Sequence, residues 1–268
     1  MLKDITLGQY FPGNSIIHRL DPRTKLIGLV AYIIALFSAG NYLSYGIVFA
    51  FLATVIAVSK IPVISIVRGM KPLVMILVFT GVLNLFFTGG ETVLVSFWRI
   101  RITAEGATRA VFMVMRILML ISATFLLTYT TSPISLTDGL ESLLNPLKKV
   151  RVPVHELAMM MCIALRFIPT LIEETDKIMS AQKARGADFE NGKLMERVKA
   201  LIPILVPLFI SAFRRADELA TAMECRCYHG GEGRTKMKLL RLKYFDYSAF
   251  LILALLICVI ILVASLGL

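Results

Sequence analysis

Two arginines sit in matching surroundings 41 residues apart in this chain. The first lies in Asp176-x4-Ala181-x2-Ala184-Arg185-Gly186, the second in Asp217-x4-Ala222-x2-Cys225-Arg226-Cys227. A guanidinium presents a planar fork of donors that pairs bidentately with carboxylates and stays charged when desolvated. Small neighbours clear space for such a side chain to enter a groove. Each arginine closes a stretch of helical periodicity, where the dipole favours a cation, and Gly186 suits the left-handed cap that ends a helix. One copy alone reads as a solvated helix cap. Two copies, each with an aspartate nine residues upstream, point to two equivalent docking points for a two-fold partner.

The elements that must position these arginines are long amphipathic helices. Over 155–185, Leu157, Met161, Ala164, Ile168, Leu171, Ile172 and Ile178 recur with a 3.6-residue period against a polar stripe of Arg166, Thr170, Glu173, Glu174 and Lys177. Over 194–226 a second such helix is expected, with Val198, Leu201, Leu205, Leu208, Phe209, Ala212, Phe213 and Leu219 apolar. Its centre, 200–213, is nearly continuously hydrophobic but broken by Pro203 and Pro207. Runs of that length are more often interfacial or buried than spanning. A shorter amphipathic helix over 135–149, stopped by Asn145-Pro146, precedes them.

This basic insert, 132–244, is set between segments apolar enough to cross a bilayer. The 268 residues are 57% hydrophobic with a mean hydropathy of +0.77, too apolar for an ordinary soluble domain. Five spans are expected, over 26–39, 45–59, 72–88, 107–131 and 249–266, the first two forming a hairpin that turns at Gly40-Asn41-Tyr42. The fold class is therefore an all-α integral membrane protein with long cytoplasmic coupling helices. Its regions are 1–131 with four spans, 132–244 cytoplasmic, and 245–268 with the last span. On this assignment 25 of the 29 Lys and Arg fall on one side, so the net charge of +11 reports a cytoplasmic N-terminus and an outer C-terminus rather than nucleic-acid binding. Trp98 falls on the outer side. The first residues hold no continuous apolar run, so no cleavable signal is expected. Three of the four cysteines, Cys162, Cys225 and Cys227, fall in the insert, Cys258 in the last span; no disulfide framework is expected. In the fourth span, Arg109 can snorkel outward, while Arg116 lies deeper. Arg116 is read either as a partner contact or pivot, or as an intramolecular hydrogen-bonded arginine, the second being the commoner case.

The chain resembles the transmembrane T component of energy-coupling factor transporters, the EcfT/CbiQ family of vitamin and metal-ion importers. The resemblance is carried by Leu20-Asp21-Pro22-Arg23-Thr24-Lys25-Leu26, Ala184-Arg185-Gly186, Arg214-Arg215-Ala216-Asp217-Glu218-Leu219-Ala220, Ala222-Met223-Glu224, Arg226-x-Tyr228 and Gly233-Arg234-Thr235, and covers essentially the whole chain. It implies that Ala184, Arg185 and Gly186, with Cys225, Arg226 and Cys227, dock two ATP-binding-cassette subunits. It implies that Met161, Ile168, Leu205, Phe209 and Phe213 face a substrate-binding membrane subunit, the S component. ATP and Mg would then be held by the partner subunits, this chain binding no cofactor, in the plasma membrane of a prokaryote. The family's second motif is usually Ala-Arg-Gly; Cys225-Arg226-Cys227 keeps the small size but loses glycine's ease in a left-handed turn.

Other classes fit the residues less well. There is no G-x4-G-K-[ST] phosphate loop, and Gly230-Gly231-x-Gly233 lacks its context. A membrane-embedded enzyme needs paired acids or a His cluster within the spans, whereas His18, His155 and His229 all lie outside them. Cys225-x-Cys227-x-His229 offers three soft ligands, but a structural zinc site wants four and Arg226 between the thiols repels a cation. A permease that itself conducts substrate needs polar residues along its spans, and only Arg116 and Asn84 hint at that.

Overall fold

A computed structural model describes residues 10–87, 93–97, 100–187, 189, 194–231 and 239–265. The chain divides into two compact units, Gly8–Gly139 with Leu240–Leu268, and Leu140–Leu239 with Met1–Leu7.

The first unit is built on apolar helices. A single turn, α1 (Ile16–Arg19), is capped by Ser15, whose hydroxyl accepts the His18 N–H. The helix α2 (Pro22–Ser38) starts with Asp21 as N-cap and Pro22 in the first turn, a favoured pairing. Next come α3 (Tyr42–Ser59), α4 (Val63–Met70), one 3-10 turn over Lys71–Leu73, and α5 (Val74–Phe87). A short antiparallel hairpin, β1 (Val93–Phe97) and β2 (Ile100–Thr103), leads into α6 (Ala104–Thr130), whose N-cap Thr103 accepts the Gly106 N–H at 3.1 Å. The last helix, α10 (Tyr244–Ser265), completes the unit. The core forms where α2, α3, α6 and α10 meet, around Leu36, Val48, Met119 and Ile260. A second cluster joins Ile61, Ile66, Leu126 and Tyr129.

In the second unit, α7 (Pro133–Leu144) enters from the first and ends in a 3-10 turn over Asn145–Val150, stopped by Arg151 in the left-handed region (φ 63). Two 31-residue helices follow, α8 (Val154–Ala184) and α9 (Leu194–Glu224), each ~46 Å long at 1.5 Å per residue. They carry Pro169, and Pro203 with Pro207, in their interiors, where each proline removes a ladder hydrogen bond. The two helices pack on each other and are tied by Arg215, whose Nη2 donates to Glu174 Oε2 at 2.6 Å. Among the described residues few side chains in this unit are buried; Val154, Ala158 and Ile204 are the apolar ones.

Among the described residues, five helical stretches are long and apolar enough to cross a membrane: Tyr42–Ser59, Val63–Phe87, Ala104–Thr130, Val154–Ala184 and Tyr244–Ser265. The number matches the sequence expectation; the membership differs. The first expected span is α2, which at 17 residues is at the short end for crossing. In its place stands α8, whose mean hydropathy of 1.4 is the lowest of the five because of its polar stripe. The helices begin earlier than expected, since capping residues and the first polar turn belong to them: α2 at Pro22, α6 at Ala104, α7 at Pro133, α10 at Tyr244. The expected third span is α5 with the 3-10 turn before it, and α4, which precedes that turn, was not expected as a separate helix; the span's end at Thr88, the end of the fifth at Leu266, and Trp98 lie outside the described residues.

Candidate functional site

The first arginine ends α8. Arg185 N–H donates to the Ala181 and Gln182 carbonyls at 3.2 and 3.1 Å, Gly186 N–H to Lys183 at 3.0 Å, and Ala187 N–H to Gln182 at 3.0 Å. With Gly186 at φ 89, this is a Schellman cap, in which a left-handed residue lets two N–H groups turn back onto the last carbonyls. The chain leaves the helix sharply there, and the Arg185 side chain stands exposed at the corner.

The second arginine repeats three of these four bonds. Arg226 N–H donates to Met223 at 3.1 Å, Cys227 N–H to Glu224 at 2.8 Å, and Tyr228 N–H to Met223 at 3.0 Å. Each of these bonds is the counterpart, 41 residues on, of one at the first site. Cys227 takes the left-handed place of Gly186 at φ 54. The departure from glycine thus alters the cost of the cap and not its form: a residue with a Cβ in that region pays about 1–2 kcal/mol. Arg226 and both thiols are exposed. His229 turns its Nδ1 to the Cys227 carbonyl at 2.9 Å, and among the described residues no three His, Cys, Asp or Glu side chains are grouped to hold an ion.

The loop beyond the second arginine rests on a clasp that sequence reasoning missed. His155, in the first turn of α8, donates from Nδ1 to Glu141 Oε1 at 3.1 Å. Gly231 lies directly against that imidazole: a Cβ there would stand 2.5 Å from His155 Cδ2. The start of α8 and the exit from α9 are thereby held together within the unit. The only sequence signal was the Gly230-Gly231 pair.

A broad apolar face remains uncovered. On α9, Leu205, Phe209 and Phe213 are exposed at helical spacing, flanked by Ile202, Val206 and Ile210; on α8, Met161 is exposed beside Leu157 and Met160. Ile168, expected with them, is half-buried and presents less surface. Uncovered patches of this kind mark interaction surfaces. Asp176, Asp217, Ala181, Ala184 and Ala222 all lie on α8 or α9 in the turns before the two caps.

In the membrane unit, Leu20-Asp21-Pro22-Arg23-Thr24-Lys25-Leu26 proves to be a structural knot. Asp246, fully buried, accepts the Asp21 N–H at 2.9 Å and the Lys243 N–H at 2.7 Å, so one carboxylate caps the starts of both α2 and α10. Asp21 in turn accepts from the Arg23 N–H and guanidinium, and Lys25 Nζ donates to the Thr130 carbonyl at 2.8 Å and to Thr131 Oγ1 at 3.2 Å. An acid in the first turn of the last apolar helix was the available signal for Asp246. Arg116 is intramolecular: its Nη2 reaches the Ala39 carbonyl at 3.4 Å and its guanidinium lies 5.2 Å over the Phe37 ring and 5.7 Å over Tyr45. Gly233-Arg234-Thr235 lies outside the described residues.

Comparison with known proteins follows the same lines. The cobalt transport protein family CbiQ matches residues 13–237. The chain is 55% identical over 246 residues to the energy-coupling factor transporter transmembrane protein EcfT of Ruminiclostridium cellulolyticum, covering 92% of each chain. It is 56% identical over 250 residues to that of Thermosediminibacter oceani (93% and 94%) and 49% identical over 238 residues to that of Bacillus subtilis (89% and 90%). A match to most of the chain, with relatives half identical from end to end, makes this protein a member of the CbiQ family, the transmembrane component of energy-coupling factor transporters.

Proposed function

We propose that this chain is the coupling subunit of an ATP-driven importer, joining two ABC ATPase subunits to a substrate-binding membrane S component that takes up vitamins or metal ions. The observation that carries the reading is the pair of arginine caps. Two exposed guanidiniums, on two helices, stand on the same hydrogen-bonded corner. A partner with two like clefts meets the same shape and charge twice. Ala184, Arg185 and Gly186 serve one cleft; Cys225, Arg226 and Cys227 serve the other. ATP and Mg belong to the partner subunits, and this chain performs no catalysis.

Movement of the two ATPases on binding ATP would swing α8 and α9 as levers. The exposed apolar face, with Met161, Leu205, Phe209 and Phe213, and Ile168 at its edge, would then hold and reorient the S component. Residues 132–244 would face the cytoplasm, as would the N-terminus, with the C-terminus outside. The test is purification of the complex with Arg185→Ala and Arg226→Ala. Loss of one ATPase subunit in each variant, with loss of coupled uptake, supports the reading; full assembly and uptake in the double variant refutes it.

A further inference from the structure

The membrane unit contains an apolar cleft of about 390 Å³ between α1, α2, α3, α6 and α10. Its floor, including Tyr32, Leu52 and Leu126, is buried, while its lips, Ile16, Val58 and Phe245, are exposed. The cleft therefore opens sideways, toward the surroundings of the helices rather than into the core. Gly28 keeps the wall thin; a Cβ there would already stand 3.2 Å from Leu253 Cδ1.

Shape decides what fits. The cleft runs from Thr24 to Tyr32 along α2 and from Phe245 to Leu253 along α10, or ~12 Å on either helix at 1.5 Å per residue. Dividing the volume by that length leaves a cross-section of roughly 30 Å². A helix with its side chains is about 10–12 Å across, wider than the cleft. An extended hydrocarbon chain is the slender apolar object that a bilayer supplies. Charge then sets the head group. The starts of α2 and α10 meet at Asp246, and α3 ends beside α1, so one end of the cleft gathers Arg19, Lys60 and Lys243. Each is exposed and lies within two residues of a lining side chain. Among the described residues none of the three pairs with a carboxylate side chain. Lys25, also at that end, has its donors engaged by Thr130, Thr131 and the His18 carbonyl.

We propose that this cleft binds one acyl chain of an anionic bilayer phospholipid, with the phosphate on the rim formed by Arg19, Lys60 and Lys243. Basic residues at the membrane boundary attract anionic head groups, and the buried chain supplies the apolar contact. Occupancy would brace the join between the first and last helices of the unit.

The probe is phosphatidylglycerol carrying a photoreactive group on one acyl chain, added to the full chain purified with its natural partners in mild detergent. Cross-links should map to peptides around Val58 and Ile252, and unlabelled phosphatidylglycerol should compete at several-fold lower concentration than phosphatidylcholine of the same chains. Val58→Trp, which fills the cleft, should cut labelling at least fivefold, whereas Val30→Trp, exposed on α2 outside the cleft, should leave it unchanged. Should Val58→Trp fail to fold, Lys60→Gln with Lys243→Gln, both at exposed positions, still discriminates. That pair should abolish the preference for phosphatidylglycerol while chain labelling persists. The proposal is overturned if labelling ignores Val58→Trp, if it maps outside the cleft, if the two lipids compete equally, or if a partner protein cross-links to Val58→Cys in place of lipid.

Discussion

At the residue scale, Cys227 carries the sharpest contrast. It occupies, at φ 54, the corner that Gly186 occupies in the first motif, and neither thiol there is tied to a ligand set. If smallness and backbone freedom are what the position needs, Cys225→Ala with Cys227→Gly preserves assembly and raises the thermal midpoint, since relieving about 1–2 kcal/mol of left-handed strain outweighs the extra freedom glycine gives the unfolded chain. Cys227→Val should lower stability by about 1–2 kcal/mol, since β-branched residues tolerate that region worst. Leucine at either position should impair docking through bulk. A metal site predicts the reverse: the Ala/Gly variant would lose a stoichiometric ion detectable by elemental analysis. The arginines themselves should be irreplaceable by lysine, which lacks the fork. Truncating one member of a desolvated charged contact costs about 2–5 kcal/mol of binding, measurable as ATPase-subunit affinity. His18, in α1, accepts from Ser15 Oγ at Nδ1 (2.7 Å) and donates from Nε2 to the Phe11 carbonyl (3.0 Å), an arrangement that suits the neutral ring. Burial lowers its pKa below 6.5, partly opposed by the Phe11 carbonyl and helped by the charge of Lys25. The unfolded chain then binds the proton more readily, so stability is lost as pH falls below about 6.5. Thermal midpoints measured across that range should decline in the parent and flatten in His18→Gln; an equal decline in both contradicts the assignment.

At the element scale, the clasp at the start of α8 makes a separable prediction. A side chain at Gly231 must displace the His155 ring from Glu141, because its Cβ would lie 2.5 Å from the ring. Gly231→Val should therefore cost about 1–3 kcal/mol and loosen the loop after Arg226 while sparing Arg185. Combining it with His155→Ala should recover part of the loss, a coupling read from the double-mutant cycle. Additive losses would show that the two residues do not meet. Much of this layer was legible from period and punctuation: α8 and α9 appear within two residues of their expected ends because a 3.6-residue apolar rhythm over thirty residues admits few other readings. The first cap was legible in Gly186. The hairpin β1–β2 was not, since two strands of four or five residues are too short for alternation to stand out beside apolar spans. Nor was the Asp21–Asp246 capping pair, whose partners lie 225 residues apart and leave no local trace. Nor was α4, an eight-residue helix between the second and third expected spans, whose apolar run continues almost without a break into α5 across Lys71-Pro72.

At the scale of the whole molecule, the charge distribution, the spans and the twin caps are the features on which the proposed transmission of motion across a membrane rests. Orientation is open to direct test. Cysteines introduced near position 90 or at 268, both outside the described residues, should react with an impermeant label added to intact cells, and one at 191, also outside them, should not. Reaction at 191 would place the long helices on the wrong side for ATPases. The most direct measurement of the central claim is the number of ABC ATPase subunits that copurify with the chain in mild detergent, read alongside ATP-driven uptake. Two per chain are expected for the parent, one for Arg185→Ala or Arg226→Ala, and none for the double variant, with uptake lost in all three. Two ATPase subunits retained by the double variant, with uptake at the parent rate, would reduce both arginines to helix caps and contradict the account.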